Sequence, residues 1–291
     1  MLKPLIAIYR AADIDSGQPP DPPQNDRSQP GLRRRPTHTV LIFVTLLCLS
    51  CALILALLST TLRPAQVEAR QADRARQILI AAQFVGPGQK LSRDQIHTLS
   101  ETNIRPMLTN AQGDLLTFKE AGVDEQDYLN QNQEGGYADL PYKLLYVITD
   151  NRGYVIPVQG FGLWGPLYGY IALEPDATTV KGISWYAPQE TPGLGANIQD
   201  PPFLSEFPDK KIFQPMSDGK IDLATAPIGI TVVKGKVADV IGRGPRSEAA
   251  VDGVSGATFT GDGVTHALKS SLSPYRPFLI KANKEATSGT V

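Results

Sequence analysis

Residues 39–62 carry no charged side chain, and this stretch decides the class of the whole chain. It runs from Thr39 to Leu62 and is rich in Leu, Val and Ile. Twenty-four helical residues rise about 36 Å, enough to cross the ~30 Å hydrocarbon core with some tilt. A buried helix of a soluble protein is rarely apolar on every face. A cleavable signal peptide fits poorly, because both the run and the tail before it are too long. The stretch is therefore read as a single membrane anchor. Arg33, Arg34 and Arg35 precede it, which favours a cytoplasmic tail and a main domain outside. Arg63, Arg70, Arg74 and Arg76 follow it and weaken that bias.

The tail, residues 1–38, is broken by Pro19, Pro20, Pro22, Pro23, Pro30 and Pro36 and is read as disordered. Residues 63–112 read as a helical connector. Its first helix runs over 64–84, with Pro64 suited to a first turn or a slight break, and Gly86-Pro87-Gly88 stops it. A second helix is expected over 91–108, with Ser92 as its N-cap. From residue 115 the texture becomes β-rich. Strands are expected at 144–148, 154–158, 168–173, 180–186 and 228–233, and a helix at 265–272 ended by Pro274. Residues 113–280 thus read as one α+β domain with a largely antiparallel sheet and flanking helices. Residues 281–291 read as a flexible polar tail.

Composition removes several functions. A formal net charge of −1 gives no support to nucleic-acid binding. The two cysteines, Cys48 and Cys51, both lie in the apolar run, so no disulfide framework or cysteine metal site is expected elsewhere. The histidines, His38, His97 and His266, are scattered, and no metal centre is expected.

Three stretches carry chemistry. Gly160-Phe161-Gly162-Leu163-Trp164-Gly165 fits the spacing of a dinucleotide fingerprint, but Pro166 and another β-rich run follow where a helix is required. It reads as a glycine-loosened strand or bulge. Glu190-Thr191-Pro192-Gly193-Leu194-Gly195 is a rigid turn that can lay backbone and Leu194 along a flat ring, or is simply a loop. Asp252-Gly253-Val254-Ser255-Gly256-Ala257-Thr258 combines small residues, two hydroxyls and a following helix, which suits a phosphate. Its near match to a hydrolase nucleophile elbow fails at Ala257, and no histidine has a triad context. On the residues alone, an anchored binding or scaffolding domain without redox function is the first reading, since they show only an anchored domain with a small-residue loop.

The last stretch resembles the flavinylation motif, Asp-x-x-Ser/Thr-Gly-Ala-Thr, of FMN-binding subunits in two membrane electron-transport complexes. With Gly162-Leu163-Trp164 and 190–195 in the same order, the chain resembles the C-subunit family of the sodium-translocating NADH:quinone reductase. The G subunit of the Rnf complex is the alternative. The run 165–172, and Pro201-Pro202-Phe203 leading to Lys210-Lys211-Ile212-Phe213, favour the sodium pump. The Pro-rich tail departs from the pattern.

The resemblance implies FMN held by a phosphoester to Thr258, attached by a Mg-dependent flavin transferase with FAD as donor. It implies that Asp252, Ser255, Gly256 and Ala257 lie near the phosphate and are read by that enzyme. It places the flavin ring near Leu163, Trp164, Thr191, Gly193, Leu194 and Gly195, with Lys234 biasing the reduced form. It further implies electron relay from NADH to a membrane quinone among other pump subunits, in a bacterial inner membrane, with the main domain periplasmic. The apolar run holds no carboxylate, so no sodium path is expected in this chain.

Deleting residues 1–62 is expected to release the remaining chain into the soluble fraction, while the full chain stays in the membrane pellet after a carbonate wash. A full chain that washes off contradicts the anchor.

Overall fold

The computed structural model describes residues 37–131, 136–186, 189–216 and 218–289. Residues 1–36, including the arginine triplet and most of the Pro-rich tail, lie outside the described residues. The chain divides into two compact units, Met1–Thr61 and Leu62–Val291. The described part of the first is helical. His38–Arg63 is long and apolar enough to cross a membrane, at a mean hydropathy of 3.0, and none of it is buried within the protein.

In chain order the elements are α1 (Thr37–Ala81), α2 (Arg93–Asn103), β1 (Ile104–Thr109), β2 (Leu115–Leu116), α3 (Phe118–Ala121), α4 (Glu125–Gln131) and β3 (Lys143–Ile148). Then come β4 (Tyr154–Phe161), β5 (Pro166–Leu173), β6 (Val180–Tyr186), α5 (Pro201–Leu204), β7 (Thr231–Val232) and α6 (Val237–Val240). The chain closes with β8 (Ala250–Val251), α7 (Thr258–Leu272) and α8 (Arg276–Ser288).

The second unit is built on a six-stranded antiparallel sheet in the order β2-β1-β3-β4-β5-β6. The fold is α+β, as the sequence predicts. The sheet strands read as nearly unbroken apolar runs because both faces are covered. One face presents Leu144, Tyr146, Ile148, Val155 and Ala172 to the end of α1, α2 and α3, through Leu79, Ile96 and Phe118. The other presents Leu145, Ile156, Ile171, Leu173 and Trp185 to α7 and α8, through Leu268, Leu272 and Leu279. Successive residues take opposite faces, as the two-residue period of a strand requires. Ser184 Oγ donates to the Gln77 carbonyl at 2.9 Å, fastening α1 to the β6 edge.

Helix α7 lies against β4 where side chains are missing. A methyl at Gly263 would stand 2.2 Å from the Phe161 carbonyl oxygen, and one at Gly160 would stand 2.6 Å from Ala267 Cβ. Ser271 Oγ fills the gap, accepting from the Gln159 N–H at 3.0 Å and donating to its carbonyl at 3.2 Å. The small parallel pair β7–β8 sits beside the helix start, where the Val232 N–H donates to Thr265 Oγ at 2.9 Å.

Several expectations change. Helix α2 keeps its Ser92 cap, a full capping box with Gln95, but stops at Asn103, and 104–109 is strand β1. Pro106 is the reason: it forbids helix interior, and it falls in the part of β1 that β2 does not reach. The stretch read as a connector therefore supplies a sheet strand and much of one core. Helix α1 continues through Pro64 without a break. The strand expected at 228–233 shrinks to Thr231–Val232. The expected flexible tail is largely helix: α8 runs to Ser288, buries Ala282, and Lys281 Nζ reaches Asp114 at 2.6 Å. Strand β6 matches the sequence reading residue for residue.

Gly263→Ala is expected to lower the unfolding free energy of the flavin-free chain by about 1–3 kcal/mol, the usual cost of overpacking, in chemical denaturation. An unchanged midpoint contradicts the close approach.

Candidate functional site

The start of α7 gathers the site. After β8, residues 252–253 run beside 233–235: the Gly253 N–H donates to the Gly235 carbonyl at 2.8 Å, and a methyl on Gly253 would meet the Val233 oxygen at 2.2 Å. Gly256 takes φ +73°, a left-handed conformation that reverses the chain into the helix, and it lies under Leu194. Ala257 then precedes α7 and brings no side-chain oxygen to cap it. The first amides of α7 therefore have neither an intrahelical acceptor nor a side-chain cap, and the helix dipole points its positive end there. Thr258, the first helical residue, is exposed. A hollow of about 520 Å³ opens at this point, lined among others by Lys234, Asp252, Ser255, Gly256, Thr258 and Asp262.

Charge around the hollow is paired. Lys234 Nζ lies 3.4 Å from Asp262 Oδ2, both well exposed. Lys236 Nζ lies 3.2 Å from Asp252 Oδ2. Asp252 Oδ1 accepts the Val237 N–H at 2.8 Å, and its own N–H donates to Glu206 Oε2 at 2.6 Å. The Val237 N–H, then Lys236, hold the Asp252 carboxyl below its ordinary value, while burial and then the Asp252 charge push Glu206 up. Asp252 thus ties the motif to the turn that begins α6.

Two further loops meet this one. Leu163 and Trp164 occupy the β4–β5 turn, closed by the Gly162 N–H on the Gly165 carbonyl at 2.8 Å, so the glycine run is a hairpin turn with no helix. The Thr191 carbonyl accepts from the Leu194 N–H at 3.1 Å and the Ala196 N–H at 3.2 Å, which folds 191–196 into a tight loop. Glu190 joins all three segments. Its side chain is buried, 5% exposed. Oε1 accepts the Trp164 N–H at 2.8 Å and Oε2 accepts the Thr260 hydroxyl at 2.7 Å. Gly162 and Gly195 make room for it, since a methyl on either would stand within 2.5 Å of a Glu190 oxygen.

The surface above these loops is apolar and open. Trp164 is 65% exposed and Phe259 is 68% exposed, with Phe161, Leu163 and Leu194 also exposed. Exposed apolar side chains grouped at one place mark a binding surface. The residues fit FMN: free helix amides and hydroxyls for a phosphate, glycine-lined backbone, and apolar side chains for a flat ring.

Comparison with known proteins agrees with the geometry. Residues 162–273 match the FMN-binding domain family, a span that starts at the β4–β5 turn and ends just past α7. The C subunit of the Na(+)-translocating NADH-quinone reductase of Chlamydia muridarum is 33% identical over 289 residues, covering 82% of this chain and 91% of that protein. The chain belongs to the family of these C subunits. Its counterpart from Pasteurella multocida is 29% identical, over 83% of this chain and 92% of its own. A crystal structure of the Parabacteroides distasonis member superposes at a TM-score of 0.55 with 30% identity, covering 75% of this chain and 96% of that one. Shewanella oneidensis NqrC gives 0.53 with 26% identity, over 73% and 99%.

All twelve residues expected at the site fall in these three loops or line the hollow beside Thr258. Asp252, Ser255, Gly256, Ala257, Thr258 and Lys234 line it together. Leu163 and Trp164 join Thr191, Gly193, Leu194 and Gly195 through Glu190. A larger hollow of about 820 Å³ lies between α1 and the sheet, lined by Arg74, Tyr137, Tyr168 and Tyr186, and holds none of the expected residues. The sequence reading assigned no role to Glu190, Thr260, Glu206, Asp262, Phe161 or Phe259. Glu190 was visible as the head of its loop; its partners were not, because they lie 26 and 70 residues away.

Asp252 makes stability depend on pH. Its depressed carboxyl contributes stability that is present above the unfolded value near 3.8 and is lost as pH falls through the lower folded value. The difference in unfolding free energy between wild type and Asp252→Asn is expected at neutral pH and should shrink as the pH drops below 3.8. A difference that stays constant into acid contradicts this.

Proposed function

We propose that this chain is the FMN-carrying C subunit of a sodium-translocating NADH:quinone reductase, with FMN joined to Thr258 through a phosphoester. The observation that carries the reading is the meeting of three sequence-distant loops around an exposed threonine at a helix start. FMN, when bound, would supply one- and two-electron transfer. Thr258 Oγ forms a bond to the FMN-side phosphorus of FAD, the pyrophosphate P–O bond breaks, AMP leaves and the hydroxyl proton passes to solvent. A Mg-dependent flavin transferase performs that step.

The chain's own residues then hold and orient the group. The open amides of α7 and the Ser255 hydroxyl receive the phosphate. Gly256 and Ala257 let it approach the backbone. Leu163, Trp164 and Leu194, beside the Thr191–Gly195 loop, would hold the ring and shield it from water. Lys234, tethered by Asp262, offers positive charge to the reduced form. Asp252 keeps the motif in shape for the transferase and for the folded site.

Electrons enter and leave through other subunits of the complex. The apolar part of α1 spans the inner membrane, with the N-terminal tail cytoplasmic and the flavin domain periplasmic. A covalent link suits that side, where a dissociated flavin is lost. We place the span at 39–62 and extend the flavin domain beyond 113–280 to take in α2, β1 and α8, all within the compact unit Leu62–Val291.

Thr258→Ala in the native complex is expected to abolish the flavin fluorescence that survives denaturing electrophoresis on this subunit. Sodium-dependent NADH:quinone reductase activity should fall by about 100-fold or more, since the relay loses its carrier. A variant that keeps both overturns the assignment.

A further inference from the structure

Glu190 is a carboxylate with almost no access to water and no cation beside it. Among the described residues no Lys, Arg or His nitrogen lies within 4.0 Å of its oxygens, and its two partners are neutral donors, the Trp164 N–H and the Thr260 hydroxyl. A buried, unpaired charge costs folding free energy, and a neutral side chain of the same size makes the same two hydrogen bonds. The protein also gives up two side chains for it, at Gly162 and Gly195. A feature that costs stability and links three loops of one site points to a task at that site.

We propose, on the reading that FMN sits on Thr258, that Glu190 is a positioning residue for the flavin. Its carboxylate bolts the tryptophan turn and the Thr191–Gly195 loop to the first turn of α7, two residues beyond the attachment point. Its fixed charge acts on the bound group as well. Reduction of a flavin adds negative charge, and a nearby buried carboxylate opposes that addition. Glu190 therefore holds the midpoint potential down, opposite in sign to the effect proposed for Lys234.

Two substitutions separate position from charge. In Glu190→Gln the amide oxygen accepts the Trp164 N–H and the amide N–H donates to Thr260 Oγ, so the bolt stays and the charge goes. In Glu190→Ala both are lost, and Thr260→Val, which cuts one of the two hydrogen bonds, stands in if that variant folds poorly. Hydrogen exchange on the full-length flavin-free chain is the first readout. Amides of Trp164 and of 191–196 should exchange about tenfold faster in Glu190→Ala or Thr260→Val, the scale of one lost buried hydrogen bond, and at the wild-type rate in Glu190→Gln. The second readout is the flavin midpoint potential of the loaded complex, which should move positive in Glu190→Gln with flavin content unchanged.

Wild-type exchange rates in both Glu190→Ala and Thr260→Val, or a wild-type potential in Glu190→Gln, overturn the proposal. Wild-type protein without flavin counts against the assignment of FMN to Thr258; the exchange comparison, which needs no flavin, then decides the bolt by itself.

Discussion

Helix α7 comes close to the sheet only because glycines face it. Gly160 on β4 and Gly263 on α7 leave no room for a methyl without displacement of a neighbour. That contact sets the height of the helix start above the β4–β5 turn, and so sets where Thr258 stands relative to Trp164. The rest of the site is arranged on this fixed distance. Glu190 bridges it, Ser271 seals it further along, and the core behind it is Leu268 and Leu272 against the sheet. A rigid helix on a two-faced sheet carries a site more firmly than loops alone.

The local chemistry of the motif follows from the same geometry. A helix that starts without a side-chain cap leaves donors open where an anion fits. Lys234 is paired with Asp262 and Lys236 with Asp252, so what the hollow offers an anion is oriented N–H groups more than net positive charge. Exposed ion pairs contribute little to stability. Their effect here is to fix the side chains that border the hollow.

Much of this was legible in the sequence, for physical reasons that can be named. The long apolar helix was legible because a charge-free run of that length is rare in a soluble protein. Strands β3, β5 and β6 declared themselves by apolar, β-branched and aromatic runs between turns. Strand β1 did not, because Ser92, Asp94 and Gln95 mark a helix start and only Pro106 marks its end. Helix α8 was hidden by a polar sequence whose apolar face, Phe278, Leu279 and Ala282, is short and starts before residue 281. At the site, the three loops were readable from their glycines, hydroxyls and exposed apolar residues. The groups that hold them there were not, since Glu190 meets its partners only after the sheet has formed.

The most direct test is peptide mass spectrometry on the chain purified from its native host, with flavin-transferase activity demonstrated in the same cells. The proteolytic peptide containing Thr258 should be heavier by one FMN less water, with fragments that locate the addition on Thr258. An unmodified peptide, or an addition located on Ser255 or elsewhere, would contradict covalent FMN at that threonine.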